Sequence, residues 1–319
     1  MTLPQGFIPV MLTPFTADLQ VDYSCLQKLT EYYLESGAVG LFANCLSSEM
    51  YELSDADRLS IIESVIKQVA GRVPVVATGT FGGNISEMAE FSKKVYSLGV
   101  DAVIILNNQF VSDEESDEQF LARMHEWLEL TPGIPFGIYE CPIPYKRLVS
   151  IPVLANLLAT GRLCYHKDTS LNMDDVKAKI QAGKQNVFGV YDAYIEHAIS
   201  SLQAGSKGLS CIQGNYFPDL IVELCRNTSH SEAIQDFLSD NMELMHANYP
   251  TSAKYVLQQL GFPINLTTRR KVGELSSEMM KKLDALIEAY RERFSDGVPC
   301  ESTENASSTA YLNRQTSDG

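Results

Sequence analysis

The sequence predicts an α/β fold, a (β/α)8 TIM barrel followed by a small C-terminal helical region. Three observations lead to this prediction. Short β-branched runs alternate with amphipathic stretches up to about residue 225, eight strands can be counted, and several are continuously apolar, as at residues 101–106. An apolar strand of this kind is buried on both faces, which is typical of a parallel sheet covered by helices. Eight such strands with helices between them fit a barrel of the usual ~250 residues.

The elements can be assigned in chain order. The predicted strands cover residues 7–12, 38–43, 73–78, 101–106, 134–139, 163–167, 187–191 and 207–212. Helical patterns lie between them, and the clearest are at residues 23–36, 55–70, 86–98 and 117–130. Asp22 is a predicted N-cap of the first helix, and Ser54 with Asp57 has the spacing of a capping box at the second.

A doubly wound sheet is the alternative architecture for alternating strands and helices. That fold places a glycine-rich phosphate-binding turn directly after its first strand. Here the corresponding turn, residues 12–16, contains no glycine. The sequence therefore favours the barrel.

The C-terminal part of the chain has a different pattern. Residues 1–225 form the predicted barrel, and residues 226–294 form a helical region with helices expected at 231–247, 251–259 and 274–294. Residues 295–319 are rich in Ser, Thr, Asn and Glu and have few apolar side chains, which predicts a disordered tail.

Composition and charge exclude several classes of protein. The 25 Lys and Arg residues against 40 Asp and Glu give a formal charge of −15, which argues against nucleic acid or an anionic membrane as a partner. No apolar run reaches the ~18–20 residues that a membrane span needs. The first residues lack the pattern of a signal peptide, so a cytoplasmic location is expected. The seven cysteines and five histidines form no metal-binding motif, and no metal is predicted.

The C-terminal ends of barrel strands are the places where catalytic groups are expected. Lys167 ends an apolar strand and would direct its amine into the barrel mouth. Desolvation there favours the neutral amine, which can attack a carbonyl group to form a Schiff base. The alternative is a surface lysine paired with Asp168. Tyr139 ends the preceding strand and could relay a proton, or it could be a packing residue.

Other strand ends carry weaker candidates. Ser47 and Ser48 could form a cradle for a carboxylate, or an ordinary serine turn. Asp192 could bind substrate hydroxyls or cap the helix that follows it. His166 neighbours Lys167, so strand alternation directs it to the opposite face, and we interpret it as structural.

Several segments together resemble a known family. They are residues 6–15 (GFIPVMLTPF), 73–79 and 99–103, the Tyr139 and Pro142 pair, the Lys167 strand, residues 205–208, residues 215–218, and residues 248–254. In order and spacing they are similar to the dihydrodipicolinate synthase / N-acetylneuraminate lyase family of pyruvate-dependent class I aldolases. The resemblance extends over roughly residues 5 to 290.

The resemblance implies roles for particular residues. Lys167 would form the Schiff base with pyruvate or a 2-keto acid, and Tyr139 would relay protons. Ser47 would bind the substrate carboxylate with Ser48 beside it, while Thr169 and Asp192 would bind a hydroxylated substrate. The family uses no metal or cofactor and assembles as homo-oligomers, so a tetramer or dimer is expected.

Departures from the family pattern bear on the reaction. Leu46 replaces the first hydroxyl residue of the carboxylate-binding turn, Cys45 and Ser48 replace both of its glycines, and Pro144 stands where the synthase branch has an arginine. Gln109 and Phe110 stand where that branch has two tyrosines. We therefore expect cleavage or formation of a hydroxylated 2-keto acid. A dihydrodipicolinate synthase-type condensation, a deoxy-sugar acid dehydratase and a keto-acid-binding protein without turnover are the alternatives.

Overall fold

The computed structural model of the protein describes residues 2–227 and 231–294. The predicted tail at residues 295–319 lies outside the described residues, and the predicted domain boundary at residue 225 stays a prediction.

Eight parallel strands form one sheet. They are β1 (Gly6–Phe7), β2 (Leu41–Ala43), β3 (Val75–Thr78), β4 (Ala102–Leu106), β5 (Phe136–Tyr139), β6 (Leu163–Asp168), β7 (Gly189–Asp192) and β8 (Gly208–Leu209). Their spatial order is β1-β8-β7-β6-β5-β4-β3-β2. Val10, just beyond β1, bridges to Phe42 in β2 in the parallel sense, and the Met11 N–H donates to the Phe42 carbonyl at 3.1 Å. The two edges of the sheet therefore meet, and the predicted (β/α)8 barrel is confirmed.

Helices follow the strands and cover the outer face of the sheet. In the described residues they are α1 (Tyr23–Glu35), α2 (Asp55–Val69), α3 (Ile85–Ser97), α4 (Asp117–Leu130), α5 (Ile151–Leu158), α6 (Met173–Gly183), α7 (Ala198–Ala204), α8 (Pro218–Arg226), α9 (Glu232–Asp240), α10 (Met242–His246), α11 (Thr251–Gln259) and α12 (Ser277–Phe294). The predicted caps are confirmed, since Asp22 accepts from the Cys25 N–H and Ser54 forms a capping box with Asp57.

Two predicted helices differ from the structure. The stretch predicted as one helix at residues 231–247 is two helices, α9 and α10, which are separated at Asn241. The Asn241 side chain donates to the Phe237 carbonyl at 2.8 Å, so it competes with the backbone at the helix end. The last helix begins at Ser277 rather than at residue 274, four residues after Gly273, which has a φ of 83°.

Strand alternation separates two buried layers. The outward-facing residues of the strands pack with the helices in the larger hydrophobic cluster. The inward-facing residues form a second cluster in the barrel, which includes Phe42, Ile104, Tyr139, Tyr165 and Tyr191. Tyr165 stacks on Tyr191 with ring centroids 4.8 Å apart. These rings fill part of the barrel interior, and Tyr165 lies two residues before Lys167 on the same face of β6.

The helices after the barrel pack back onto it. Tyr290 of α12 stacks on Phe217 with centroids 4.2 Å apart, and α11 is buried along most of its length. No helix in the described ranges is long and apolar enough to cross a membrane.

Candidate active site

Lys167 lies at the end of β6 and its amine is inside the barrel. Its side chain is buried, and Nζ lies 4.3 Å from the centroid of the Tyr139 ring. Among residues 2–227 and 231–294, no carboxylate forms an ion pair with it. Burial lowers the pKa of Lys167, and the nearby Cys45, Cys141 and Cys211 thiols oppose this only in part. The amine therefore has an increased neutral fraction, which is the nucleophilic form.

Tyr139 lies beside Lys167 because β5 and β6 are in register. The two residues are direct partners in the parallel ladder and both face inward. The Tyr139 ring packs edge-on against Phe42 with centroids 5.9 Å apart. Burial, with a smaller contribution from the Cys141 thiol, raises the pKa of Tyr139 well above its usual value. The phenol is therefore neutral and can donate a proton to a substrate bound at Lys167.

The turn after β2 carries Ser47 and Ser48, both of which are buried. Ser48 Oγ donates to the Met11 carbonyl at 2.6 Å and accepts from the Cys45 N–H at 3.1 Å. Its hydroxyl thus builds the turn and ties it to the chain beyond β1. Burial raises the pKa of the Tyr249 phenol of the C-terminal helical region well above its usual value, and the neighbouring Ser47 hydroxyl opposes this in part.

Glu49 anchors this turn from its C-terminal side. It is fully buried and has a left-handed backbone with a φ of 58°, which is unfavourable for a residue other than glycine. Glu49 accepts from Lys254 Nζ of α11 at 3.0 Å and from the Arg269 and Arg270 N–H groups at 2.6 and 2.8 Å. The C-terminal helical region therefore holds the turn that carries Ser47 and Ser48.

Thr169 lies at the junction of the β5 and β6 ends. Its hydroxyl donates to the Glu140 carbonyl at 2.6 Å, and its N–H donates to the Glu140 carboxylate at 3.1 Å. Its own carbonyl accepts from Lys146 Nζ at 2.8 Å. The hydroxyl proton of Thr169 is thus used within the protein, while its lone pairs can still accept a hydrogen bond.

Asp192 ends β7 and its carboxylate binds within its own loop. Oδ1 accepts from the Tyr194 N–H at 2.9 Å, and Oδ2 lies 2.8 Å from Nε2 of His197. Neither contact is a helix cap, because the helical segments that follow have Tyr194 and His197 as N-caps without a side-chain cap bond. The substrate-binding role of Asp192 stays a prediction.

A buried ionic cluster lies behind Lys167 and Tyr139, on the outer side of the barrel wall. Lys179 Nζ of α6 donates to Glu140 Oε1 and to Asp168 Oδ2, each at 2.6 Å. His166 Nε2 lies 3.3 Å from Glu140 Oε1, and its ring packs against Phe188 of the outer layer. His166 therefore faces outward, as alternation predicts.

This cluster contains three residue types that could also bind a metal. Ligand atoms of Glu140, His166 and Asp168 lie within 4.8 Å of one another. The Lys179 ammonium, however, is placed between the two carboxylates, where a metal ion would have to lie. The carboxylates raise the pKa of Lys179 although burial alone would lower it, so the ammonium stays charged. Glu140 and Asp168 therefore fit the ammonium group of Lys179 as their cation, rather than a metal ion.

Sequence analysis gave no role to Glu140, Lys179, Tyr249 or Lys254, although Lys254 lies in one of the segments that carry the resemblance. One of them carried a usable signal, because Lys179 stands on the buried stripe of α6 with Val176 and Gly183. A lysine at such a position is rarely buried without a partner. The acidic residues that directly follow Tyr139 and Lys167 are its partners, and the register of β5 and β6 brings them together.

Comparisons with known proteins show what the chain is similar to. The profile of the dihydrodipicolinate synthetase family matches residues 3–290. The chain is 28% identical over 225 residues to YagE of Escherichia coli (strain K12), a candidate 2-dehydro-3-deoxy-D-gluconate aldolase, covering 69% of this chain and 73% of that protein. It is 22% identical over 291 residues to the 4-hydroxy-tetrahydrodipicolinate synthase of Staphylococcus carnosus (strain TM300), covering 90% and 97%.

A solved structure gives the same barrel. The crystal structure of YagE in complex with pyruvate superimposes with a TM-score of 0.82 at 21% identity, covering 90% of this chain and 98% of that chain. At this identity the likeness shows the fold.

Proposed function

Since the chain belongs to the dihydrodipicolinate synthetase family, we propose that it is a Schiff-base aldolase that cleaves or forms a hydroxylated 2-keto acid with pyruvate as one component. The observation that carries the proposal is the buried Lys167 amine in the barrel mouth, 4.3 Å from the ring of Tyr139. Burial lowers the pKa of Lys167 and raises the pKa of Tyr139. Both shifts favour the neutral forms, which are the nucleophilic amine and the proton-donating phenol.

The reaction follows from these two groups. The neutral Lys167 amine attacks the 2-keto carbon, and the resulting carbinolamine loses its hydroxyl as water when neutral Tyr139 donates a proton to it and becomes a phenolate. The iminium so formed accepts the electron pair released when the C3–C4 bond breaks. The C4 hydroxyl gives up its proton and becomes the aldehyde, while the pyruvate enamine remains on the lysine. In condensation, neutral Tyr139 donates its proton to the aldehyde oxygen and becomes a phenolate. Cleavage is the reverse, so there the phenolate accepts the proton of the C4 hydroxyl.

The remaining predicted residues would bind the substrate. Ser47 is the better candidate for the keto-acid carboxylate, because the Ser48 hydroxyl is used within the turn. Thr169 can accept a hydrogen bond from a substrate hydroxyl through its free lone pairs. The predicted roles of Ser48 and Asp192 compete with the intramolecular contacts described above.

The choice of an aldolase over a synthase rests on the loop after β4. Phe110 is buried and packs edge-on against Phe120 of α4, with centroids 6.0 Å apart. Gln109 directs its amide toward the Tyr51 hydroxyl at 3.5 Å. Neither residue brings a titratable hydroxyl to the site. The similarity to YagE supports the same choice.

Release of pyruvate from a panel of hydroxylated 2-keto acids tests the proposal. The wild-type protein should release pyruvate together with an aldehyde, and Lys167→Ala and Lys167→Arg should both be inactive, because arginine keeps the charge but forms no imine. Exposed Lys93→Ala is the matched control and should behave as wild type. Loss of water without an aldehyde product would establish the dehydratase, and pyruvate trapping without turnover would establish a binding protein.

The assembly of the protein is a separate proposal. We expect a homo-oligomer, a tetramer or dimer, in a cytoplasmic location. Light scattering at micromolar protein concentration tests the oligomeric state, and a stable monomer would contradict the expected homo-oligomer.

A further inference from the structure

We propose that Lys179 is a positioning residue, which holds Tyr139 and Lys167 in their reactive arrangement by clamping the ends of β5 and β6 from behind. The three residues Glu140, Asp168 and Lys179 are called the ionic clamp below. The inference rests on the proposed function, because it assigns a role in the reaction of Lys167 with pyruvate.

The clamp is connected to both catalytic residues through the backbone. Glu140 directly follows Tyr139 and Asp168 directly follows Lys167, and alternation directs each acidic side chain outward as its neighbour faces the barrel mouth. Lys179 joins the two carboxylates at 2.6 Å each. A shift of one strand end relative to the other would lengthen one of these two bonds.

The backbone ladder is weak at the point where the clamp acts. The last bond between the two strands runs from the Glu140 N–H to the Lys167 carbonyl and is 3.4 Å long. Beyond it, the connection depends on side chains. Glu140 accepts from the N–H groups of Val149 and Thr169 at 2.9 and 3.1 Å, and its carbonyl accepts the Thr169 hydroxyl at 2.6 Å. The clamp thus fixes β5, β6 and the two loops that follow them.

Stability alone does not explain the clamp. All three side chains are almost completely buried, and a buried ion pair is often no more stabilising than apolar side chains of the same volume. Lys179 lies on the buried stripe of α6, where an apolar residue would pack well. Compared with apolar contacts, the hydrogen-bonded ion pairs fix the distance and orientation between the two strand ends more closely. The placement of two catalytic groups requires this precision.

His166 shares the same space and completes the set of charged neighbours. Its Nε2 faces Glu140 at 3.3 Å and Asp168 at 4.0 Å. The cluster thus consists of two carboxylates, one ammonium group and this imidazole. Neither carboxylate is within ion-pair distance of Lys167, since the acidic groups face the other side of the wall. The clamp therefore acts on the reaction through geometry.

The reactivity of correctly placed Lys167 and Tyr139 can be measured by NMR, as the exchange of the methyl protons of pyruvate in D2O. This exchange requires formation of the iminium and then of the enamine on Lys167. The number of chains able to react is counted separately, by borohydride trapping with pyruvate to the end point and intact-mass measurement. We expect Lys179→Met to lower the exchange rate per reactive chain by about 10- to 100-fold, with the KM for pyruvate within twofold of wild type. Lys179→Arg should recover part of the rate.

Two controls isolate the effect. Lys177→Met changes an exposed lysine on the same helix and should match wild type. Ile62→Ala weakens the distant core between α2 and the barrel, and should reduce stability with no change in the rate per reactive chain. If Lys179→Met does not fold, the double variant Glu140→Gln with Lys179→Met removes one charge of each sign. A lower exchange rate per reactive chain in this variant supports the positioning role, and an unchanged rate contradicts it.

The outcomes separate the two proposals. A wild-type protein that gives no pyruvate adduct overturns the proposed function and the positioning role with it. Normal trapping in wild type, together with a Lys179→Met rate that falls only in proportion to the reactive fraction, overturns the positioning role alone. In that case the clamp would serve folding only.

Discussion

Removing the Lys254 charge tests how the C-terminal helical region supports the site. Lys254 Nζ lies 3.0 Å from Glu49 Oε1, and both side chains are completely buried. Lys254→Met leaves the Glu49 carboxylate with two backbone N–H donors but no cation. Breaking a buried pair in this way costs about 3–5 kcal/mol.

The change in melting temperature follows from the size of the chain. An unfolding entropy of about 2.1 cal/mol/K per residue gives ~0.6 kcal/mol/K for the ~290 residues that the structure describes. The expected decrease in Tm for Lys254→Met is therefore ~5–8 °C, measured by calorimetry. The matched control is Lys282→Met, whose partner Glu278 is exposed, and it should change the free energy of unfolding by less than ~0.5 kcal/mol.

A double variant tests whether the loss comes from the unpaired charge. Glu49→Gln combined with Lys254→Met removes both charges, so its cost should be clearly less than the sum of the two single costs. A Tm for Lys254→Met within 1 °C of wild type, or two single costs that simply add, would refute the reasoning. Because the turn beside Glu49 carries Ser47, the single variants should also raise the KM for pyruvate.

Three further predictions concern the barrel wall and the β7 loop. Burial lowers the pKa of His197 but the Asp192 carboxylate raises it more, so the folded value lies above the ordinary 6.5. The pair of His197 and Asp192 then contributes stability that is fully present below pH ~6.5 and is lost as the pH rises through the folded pKa. Asp192→Asn should therefore lower Tm more at pH 5.5 than at pH 8.5. An equal decrease at both pH values would contradict this prediction. A Cβ at Gly208 would lie 1.7 Å from the backbone carbonyl oxygen of Gly6, so Gly208→Ala should disrupt the β1–β8 pairing and lower Tm by several degrees. A Cβ at Gly133 meets no atom, so Gly133→Ala carries only the cost of its left-handed backbone (φ 76°), and its decrease in Tm should be clearly smaller. The predicted hydroxyl-binding role of Asp192 requires that Asp192→Asn impairs turnover of polyhydroxylated keto acids by ~1.5–3 kcal/mol more than that of short unhydroxylated ones; equal losses in both would leave it a loop residue.

The eight strands were predictable from the sequence because they are short, mostly apolar runs that alternate with helical patterns. Most observed strands are shorter than predicted, although β6 extends one residue further, to Asp168. In β3 and β5 the regular ladder begins one residue after Pro74 and Pro135, because proline lacks an N–H. Lys167 and Tyr139 could be predicted for a related reason. A polar residue at the end of an apolar strand stands out, and parallel register places such ends side by side.

Side chains that act across the chain could not be predicted in this way. Glu49 and Lys254 are 205 residues apart, and no local pattern shows that they meet. Glu140 and Lys179 depend on which face of α6 packs against β5 and β6. Asp192 illustrates the opposite difficulty, since its local role in the loop competes with the role that the resemblance implies.

Peptide mapping of the protein after borohydride reduction with pyruvate tests the central claim most directly. The account predicts one adduct per chain, formed at neutral pH and located on Lys167, with none on Lys179 or Lys254, whose ammonium groups are held in buried ion pairs. The modified peptide identifies the residue without assuming any aldehyde partner. An adduct on a different lysine, or no adduct at saturating pyruvate, would contradict the account.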